Sequence, residues 1–324
     1  MTPLQRWGKN GNALGATNRQ EGRVTYDYDL IAIGMGPAGM AASAMAAEMG
    51  LAVCGIEKHK LGGECMNVGC IPSKALLRMA ELRHSLTRLD AMELESMPLP
   101  AVKNPFPRIQ GHLDYILQEK TIDKFKKVDL VMGQGAASFV DGHTVQVGGR
   151  RLRARRIFIC TGTRASRPPI PGLDTIDLLD NENLFHLAAV PESLLIIGGG
   201  AIGSEMAQAF ARLGSRVAVV HMDAHLLPFG PPEAGRLLEA QFARERIAVY
   251  NQRRIASVAQ EEGRVRLKTA EGEDLSAERL LLAAGRTPVL QGLELERAGV
   301  HFTPKGIPVN DNLQTNVPHI YAVG

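Results

Sequence analysis

The stretch LIAIGMGPAG at residues 30–39 decides the fold of this chain. Four apolar residues are followed by a glycine turn and then by an alanine-rich stretch to Met49, which predicts a strand, a tight turn and a helix in that order. A G-x-G-x-x-G spacing in this context is typical of a dinucleotide-binding unit. The glycines permit the turn, the close approach of a pyrophosphate and close packing of helix on strand. The phosphates are expected on the unpaired amides at the start of the helix.

The same device occurs a second time in LLIIGGGAIG at residues 194–203, which leads into a helix predicted to reach Leu213. Each unit continues into a second strand, which ends 23 residues after the first glycine of its motif, at Glu57 in the first unit and at His221 in the second. Two unrelated glycine turns are the alternative, but equal offsets in the same strand–helix context favour a repeated unit. The predicted nucleotide contacts are Gly34, Gly36, Pro37, Ala38, Gly39, Glu57 and Lys58 in the first unit and Gly198, Gly200, Ala201, Ile202, Gly203 and His221 in the second.

Glu57 and His221, the residues predicted to reach the ribose in the two units, differ in chemistry. Glu57 can hold two ribose hydroxyls, as an adenosine without a 2′-phosphate requires. His221 is neither the acid that favours NAD nor the arginine that favours NADP, and Met222 and Asp223 after it do not decide between them. The sequence therefore leaves the choice between NAD and NADP open.

The stretch GGECMNVGCIPSK at residues 62–74 places Cys65 and Cys70 five positions apart, downstream of the first unit and before an apolar helix predicted over residues 75–82. A thiolate needs positive potential to persist at neutral pH, and a helix N-terminus supplies it. Asn67 and Gly69 allow the intervening chain to turn tightly, so the two sulfurs can close a small redox ring. Cys54 and Cys160 lie in apolar runs and are predicted to be buried strand thiols, which argues against two structural disulfides in a secreted protein.

Composition bounds the class of protein. With 324 residues, of which 45% are hydrophobic, the chain can form about two domains. Its net charge of +3 is too small to indicate nucleic acid or an anionic membrane as partner, and no apolar run reaches the ~18 residues of a membrane span. Five arginines within residues 150–156 are interpreted as a solvated strand face, with polyanion binding as the lesser alternative. Residues 1–24 are predicted to be a disordered leader, an organellar transit peptide remaining open, and the location is predicted to be cytoplasmic.

Residues 62–74 resemble the redox-active disulfide of the flavin-dependent pyridine nucleotide–disulfide oxidoreductases, the family of lipoamide (dihydrolipoyl) dehydrogenase, glutathione reductase and mercuric reductase. Three further segments resemble this family. ICTGT at residues 159–163 resembles the strand at which the FAD domain ends, and AAGRTP at 283–288 resembles the strand that carries the chain back to that domain. TNVPHIYAVG at 315–324 resembles its final flavin-binding strand. The resemblance implies FAD in the first unit and NAD or NADP in the second. It adds the following cofactor-binding residues: Gly63, Lys74, Thr161, Gly162, Gly285 and Arg286.

The resemblance also implies roles for four catalytic residues. Cys70 is expected to face the flavin as a thiolate, and Cys65 to face outward and exchange with a substrate disulfide. Lys74 lies one helical turn after Cys70, and it is expected to pair with Glu205 beside flavin N5 and the incoming nicotinamide. Each of these two charges alone would be an ordinary helix-surface residue. The implied path is hydride from NAD(P)H to flavin, then electrons to the Cys65–Cys70 disulfide and on to a small-molecule or protein-bound disulfide, or the reverse from a dithiol.

The predicted fold is α/β, with two Rossmann-like dinucleotide-binding domains. The FAD domain is predicted to be discontinuous, with residues 25–165 and 286–324, and the NAD(P) domain to span residues 166–285. No metal site is predicted. A thioredoxin reductase of this length is excluded, because those enzymes carry a C-x-x-C pair inside the nicotinamide domain.

The resemblance breaks off at Gly324, before the flavin-binding aspartate and the dimerisation domain with its His–Glu pair that the family carries. The chain is therefore interpreted as part of a longer enzyme whose full-length form is expected to be a homodimer. Pro72-Ser73-Lys74 favours the lipoamide dehydrogenase and mercuric reductase branch over glutathione reductase. A mercuric reductase-like enzyme and a non-catalytic nucleotide-binding remnant are the alternatives to a dihydrolipoyl dehydrogenase-like function.

Overall fold

Two separate β-sheets carry the two glycine motifs. The structure is a computed structural model that describes residues 25–324, so the predicted leader lies outside the described residues. The strands are β1 (Tyr28–Ile33), β2 (Val53–Glu57), β3 (Asp129–Met132), β4 (Ser138–Asp141), β5 (Thr144–Val147), β6 (Arg150–Ile159), β7 (Thr163–Ala165), β8 (Leu178–Leu179), β9 (Ser193–Ile197), β10 (Arg216–Val220), β11 (Ala248–Tyr250), β12 (Ile255–Glu261), β13 (Arg264–Thr269), β14 (Asp274–Ala277), β15 (Arg279–Leu282), β16 (Arg286–Pro288) and β17 (Ile320–Ala322). The helices are α1 (Pro37–Glu48), α2 (Gly63–Asn67), α3 (Cys70–Ser85), α4 (Phe106–Tyr115), α5 (Ala201–Leu213) and α6 (Pro232–Arg244).

The first sheet has the order β3-β2-β1-β6-β5-β4, and β17 pairs with β6. Its central strand β1 runs parallel to β2 and β6, with Leu30 opposite Val53 and Ile33 opposite Ile159. The last four residues of β1 and all five of β2 are buried, as expected for strands covered on both faces. Because β1, β2 and β6 run parallel, the end of β1, and with it the first glycine turn, lies at the carboxyl edge of these strands, where α/β folds bind their ligands.

The second sheet repeats this arrangement with five parallel strands in the order β11-β10-β9-β15-β8. Here β9 takes the place of β1, and all of its residues are buried. A three-stranded antiparallel sheet of β12, β13 and β14 packs beside it. The α/β fold that the sequence predicts, with two Rossmann-like units, is confirmed by this architecture.

Two glycines in each motif are required by geometry. Gly34 has φ +97°, and a Cβ on it would lie 2.4 Å from the Cys160 carbonyl oxygen. A Cβ on Gly39 would lie 1.9 Å from the Gly34 carbonyl oxygen, so α1 touches the turn directly. In the second motif Gly198 has φ +117° and a Cβ on Gly203 would lie 2.0 Å from the Gly198 oxygen. Helix and strand thus make the same close approach in both units.

The two large sheets take their strands from different parts of the chain. The first sheet takes its strands from residues 28–159 and 320–322, and the second from residues 178–282. Between them, β7 and β16 form a two-stranded antiparallel ribbon, with Arg286 opposite Ala165. This ribbon lies where the chain leaves the first unit and where it returns. The domain boundaries predicted at residues 165 and 286 stay a prediction.

Three local predictions concern the start of α3, the final strand and the arginines of residues 150–156. Helix α3 begins at Cys70 rather than at residue 75, because Pro72 is tolerated in a first helical turn, where its missing N–H has no partner to lose. The final strand is only Ile320–Ala322, since Ile320 donates to the Val317 carbonyl and the residues before it form a turn. The arginines of residues 150–156 lie on β6 of the β5–β6 hairpin, where Leu152 and Ala154 point into the core.

We expect Gly39→Ala to lower the free energy of unfolding by about 2 kcal/mol or more, because its methyl group would overlap the Gly34 carbonyl oxygen. Gly111→Ala is the matched control, since Gly111 lies in α4 with no atom within 4 Å of an added Cβ. That variant should be neutral or about 0.5 kcal/mol more stable. Urea unfolding measures both values, and equal stabilities of the two variants would contradict the close approach.

Candidate redox and dinucleotide site

A cavity of about 990 Å³ opens at the carboxyl edge of the first sheet. Its volume lies at the upper end of the range of small-molecule and cofactor sites, which is about 300–1,000 Å³. Ten of the predicted site residues line it: Gly34, Gly36, Pro37, Ala38, Glu57, Lys58, Gly63, Cys65, Thr161 and Gly162. The cavity therefore joins the first dinucleotide motif to one of the two candidate redox cysteines.

The walls of this cavity suit the pyrophosphate of a dinucleotide. Helix α1 starts after Gly36, and no side chain caps its first amides, which leaves them free to bind an anion. A Cβ on Gly63 would lie 2.7 Å from the Gly36 Cα, so the two backbones touch and no side chain from either residue fills the space. These residues fit the diphosphate of FAD.

Glu57 is buried beneath the glycine turn. Its Oε2 accepts a hydrogen bond from the Met35 amide and its Oε1 one from the His59 amide, each at 2.9 Å. Because each carboxylate oxygen has a second lone pair, the side chain can also accept hydrogen bonds from two ribose hydroxyls. Glu57 thus fixes the turn, and the ribose contact that the sequence predicts for it stays a prediction.

The two candidate redox cysteines lie on consecutive helices. Cys65 is in the short α2 and lines the cavity, whereas Cys70 is the exposed first residue of α3. Burial, together with a hydrogen bond to Cys70, raises the pKa of the Cys65 thiol to about 11. Cys70 stands at the N-terminus of the 16-residue α3, where no side chain caps the first backbone amides. The assignment of one sulfur to the flavin and the other to substrate stays a prediction.

Asn67, between the two cysteines, ties the end of α2 to the residues at its start. Its side-chain amide donates to the Leu61 and Gly63 carbonyls at 3.0 and 2.8 Å. A Cβ on Gly69 would lie 2.9 Å from the Glu64 carbonyl oxygen, so a side chain would not fit there. The other two cysteines, Cys54 and Cys160, are buried free thiols whose pKa burial raises to about 12, and their predicted structural role agrees with this.

Lys74 and Glu205 are brought together from positions 131 residues apart. The Lys74 ammonium lies 2.6 Å from both carboxylate oxygens of Glu205. Lys74 is on α3, one turn after Cys70, and Glu205 is the fifth residue of α5, the helix of the second motif. The pair therefore connects the cysteine helix to the second dinucleotide unit, although neither residue lines the cavity.

The second dinucleotide motif has the same open helix start. Gly200 precedes α5 without a side-chain cap, and His221 lies buried beside the motif. The predicted contacts of this unit do not share the first cavity: Gly198, Gly200, Ala201, Ile202, Gly203 and His221. Gly39, Gly285 and Arg286 also lie outside the cavity wall. The contacts predicted for these residues remain predictions.

Glu64 is a site residue that the sequence did not reveal. It forms an ion pair with Arg286 and accepts a hydrogen bond from the Asn181 side chain at 3.0 Å. The Arg286 guanidinium also donates to the Thr163 hydroxyl at 2.6 Å and to the Thr163 carbonyl at 3.0 Å. Glu64 thus ties α2, next to Cys65, to both strands of the β7–β16 ribbon. No local signal could identify it, because Arg286 lies 222 residues away.

The cavity also contains a carboxyl group with an altered proton affinity. The pKa of Glu182 is raised, chiefly by burial and further by the neighbouring carboxylates of Glu64 and Asp180.

Within the described residues, no group of three or more His, Cys, Asp or Glu side chains is arranged to hold a metal ion. Over the same part of the chain, none of the helices has the length and apolar character needed to cross a membrane.

Comparison with known proteins identifies the class to which this fold and site belong. The family model described as pyridine nucleotide-disulphide oxidoreductase matches residues 28–324. The chain is 36% identical over 303 residues to the dihydrolipoyl dehydrogenase of Bacillus subtilis, covering 91% of this chain and 66% of that protein. It is also 36% identical over 311 residues to the mercuric reductase of Streptomyces lividans, covering 92% of this chain and 65% of that protein.

One solved structure has a fold similar to that of this chain. The HOCl-induced flavoprotein disulfide reductase RclA from Escherichia coli superposes with a TM-score of 0.81 at 27% identity, covering 92% of this chain and 66% of that one. The chain thus spans about two thirds of the length of each of these three relatives. It belongs to the pyridine nucleotide–disulphide oxidoreductase family, which confirms the resemblance seen in the sequence.

We expect Glu64→Ala to lower the free energy of unfolding by about 1 kcal/mol, because it removes a half-buried ion pair and leaves Asn181 without its acceptor. Glu81→Ala is the matched control, since Glu81 forms an exposed ion pair with Arg78 on α3. The control should change stability by less than about 0.5 kcal/mol. Urea unfolding tests the difference, and an effect of Glu64→Ala no larger than that of the control would contradict the anchoring role.

In the reduced chain without bound nucleotide, we expect iodoacetamide to modify Cys70 faster than Cys65 at about pH 8. Only the thiolate reacts, and the Cys65 pKa of about 11 keeps its thiol protonated there. The Cys65 rate should then rise about tenfold per pH unit below that pKa. Peptide mass spectrometry separates the two sites, with buried Cys54 and Cys160 as unreactive controls. Equal rates for both cysteines at about pH 8 would refute the raised pKa.

Proposed function

We propose that this chain is the dinucleotide-binding part of an FAD-dependent NAD(P)H oxidoreductase with a redox-active Cys65–Cys70 pair, similar to dihydrolipoyl dehydrogenase. One observation carries the proposal: a single cavity is lined both by the first glycine motif and by Cys65, whose thiol contacts Cys70. The second motif, on α5, would bind the nicotinamide cofactor. Its helix is joined to the cysteine helix by Lys74 and Glu205.

Bound in the first cavity, FAD would supply the step that the side chains cannot perform, which is to accept a hydride and pass two electrons to a disulfide. The net reaction balances as NAD(P)H, a proton and a disulfide giving NAD(P)⁺ and two thiols. In the chain, the Cys65–Cys70 S–S bond would break as two electrons and two protons enter, leaving two thiols. These would reduce a substrate disulfide through a mixed disulfide, or the sequence would run in reverse from a dithiol.

The remaining residues bind and orient. The α1 amides would hold the pyrophosphate, and Glu57 the ribose hydroxyls. Lys74 lies on the same face of α3 as Cys70, and Glu205 fixes the direction of the Lys74 side chain. Thr161 and Gly162 would close the cavity from the end of β6.

For the substrate we propose a small-molecule or protein-bound dithiol/disulfide, as the name of the Bacillus subtilis relative suggests. A mercuric reductase-like activity is the second candidate, since a relative of that name is equally identical at 36%. Homodimer formation by the full-length protein and a cytoplasmic location belong to the same proposal. Nucleic acid and membranes are not proposed as partners.

The test is an anaerobic titration of the FAD-loaded chain, oxidised at its cysteines, with NADH and then with NADPH. We expect two further alkylatable thiols per chain and a long-wavelength thiolate–flavin absorbance band. Cys65→Ser and Cys70→Ser should each abolish the gain of two thiols, and the variant that loses the band identifies the sulfur next to the flavin. Cys54→Ala, which removes a buried thiol outside the site, should keep both signals. Reduction of bound flavin without any gain of thiols would overturn the proposal.

A further inference from the structure

The side chain of His221 is buried, and its two ring nitrogens form no hydrogen bond in the described structure. Only 2% of its side chain is exposed. Its backbone, by contrast, is fully engaged: its amide donates to the Tyr250 carbonyl and its carbonyl accepts from the Arg253 amide. A buried ring with two orphan nitrogens is costly for the folded protein unless a ligand pairs with it.

The first dinucleotide unit shows what this position faces. There Glu57 accepts a hydrogen bond from the amide of Met35, the second residue of the glycine motif. In the second unit the His221 ring lies against Gly199, the second residue of its motif, so closely that an added Cβ would be 2.8 Å from three ring atoms. His221 therefore occupies the place of the carboxylate that in the first unit is suited to ribose hydroxyls. The glycine at 199 makes room for the larger ring.

The charges around His221 disfavour an added phosphate. Asp223 Oδ2 lies 3.8 Å from the His221 Nδ1. The stretch HMDAHLLPFG at residues 221–230 contains no lysine or arginine. The two arginines that follow β11 are engaged elsewhere: Arg253 binds Glu273, and Arg254 binds Glu271. In the described structure both of these guanidinium groups are therefore paired with carboxylates, and a phosphate would have to compete with those carboxylates for them.

We infer that His221 and Asp223 bind the two hydroxyls of an adenosine ribose, and that the second site accepts NAD(H) in preference to NADP(H). The inference rests on the proposed function of that site. Ribose hydroxyls both donate and accept, so they satisfy the imidazole in either tautomer and donate to the Asp223 carboxylate. A 2′-phosphate only accepts at neutral pH, carries a charge of about −1.5 to −2, and would face that carboxylate.

Calorimetric titration of the FAD-saturated chain with ADP-ribose and with 2′-phospho-ADP-ribose tests the inference by binding alone. FAD saturation keeps the first motif occupied, so only the second site is measured. We expect ADP-ribose to bind at least about tenfold more tightly than its 2′-phosphate. Asp223→Asn should bring the two dissociation constants closer together, chiefly because 2′-phospho-ADP-ribose should bind more tightly. His221→Leu should weaken ADP-ribose binding, while Asp174→Asn, an exposed carboxylate of the same domain, should leave both constants unchanged.

Equal binding of the two ligands, or tighter binding of the phosphate, would overturn the inference and leave the proposed function intact. Binding of neither ligand by the FAD-saturated chain would overturn both. If His221→Leu does not fold, as judged by circular dichroism, Asp223→Asn still decides, because its side chain is about half exposed and its replacement leaves the core untouched. An unchanged ligand ratio in folded Asp223→Asn would refute the role of that carboxylate.

Discussion

The packing of α3 against α5 is the contact on which the rest of the candidate site depends. The cysteines belong to the first unit and the second glycine motif to the other, so the proposed chemistry between them would require these two helices to keep a fixed position. The buried side chains of Leu76 and Phe210 lie in one core that both units share. At one end of the contact Lys74 binds Glu205, and at the other Arg83 donates to the Arg212 carbonyl at 2.5 Å. An apolar core with polar ties at both ends fixes the helices against sliding as well as separation.

The two dinucleotide units show which features of the motif are structural and which are free to change. The close approach of helix to turn is the same in both units. A Cβ added to Gly39 would lie 1.9 Å from the Gly34 carbonyl oxygen, and one added to Gly203 would lie 2.0 Å from the Gly198 carbonyl oxygen. The ribose position differs, because Glu57 receives two backbone amides whereas the His221 ring rests on Gly199. Backbone geometry is therefore the same in the two repeats, while the side chain at the end of the second strand differs in its chemistry and in its contacts.

Much of the fold and part of the site could be predicted because their signals are local. The glycine spacing, the apolar strands and the 23-residue offset to Glu57 all lie within one strand–helix–strand unit. The apolar pattern predicts a helix from residue 75, whereas α3 begins at Cys70, because its first turn is not apolar and tolerates Pro72. The contact of Glu64 with Arg286 could not be predicted, because it exists only after the β7–β16 ribbon brings the two ends of the first unit together.

The cysteine pair is asymmetric, and the asymmetry follows from the backbone. Cys65 lies in a helix of one and a half turns, half-buried at the cavity wall, and its contact with Cys70 adds to the cost of ionising it. Cys70 is exposed and begins a helix of 16 residues, and Lys74, one turn further along the same face, is bound to Glu205. When both thiols are reduced, burial therefore opposes the loss of the Cys65 proton. Because thiol–disulfide exchange begins with a thiolate, the surroundings of Cys65 in this state slow its attack on a disulfide at neutral pH.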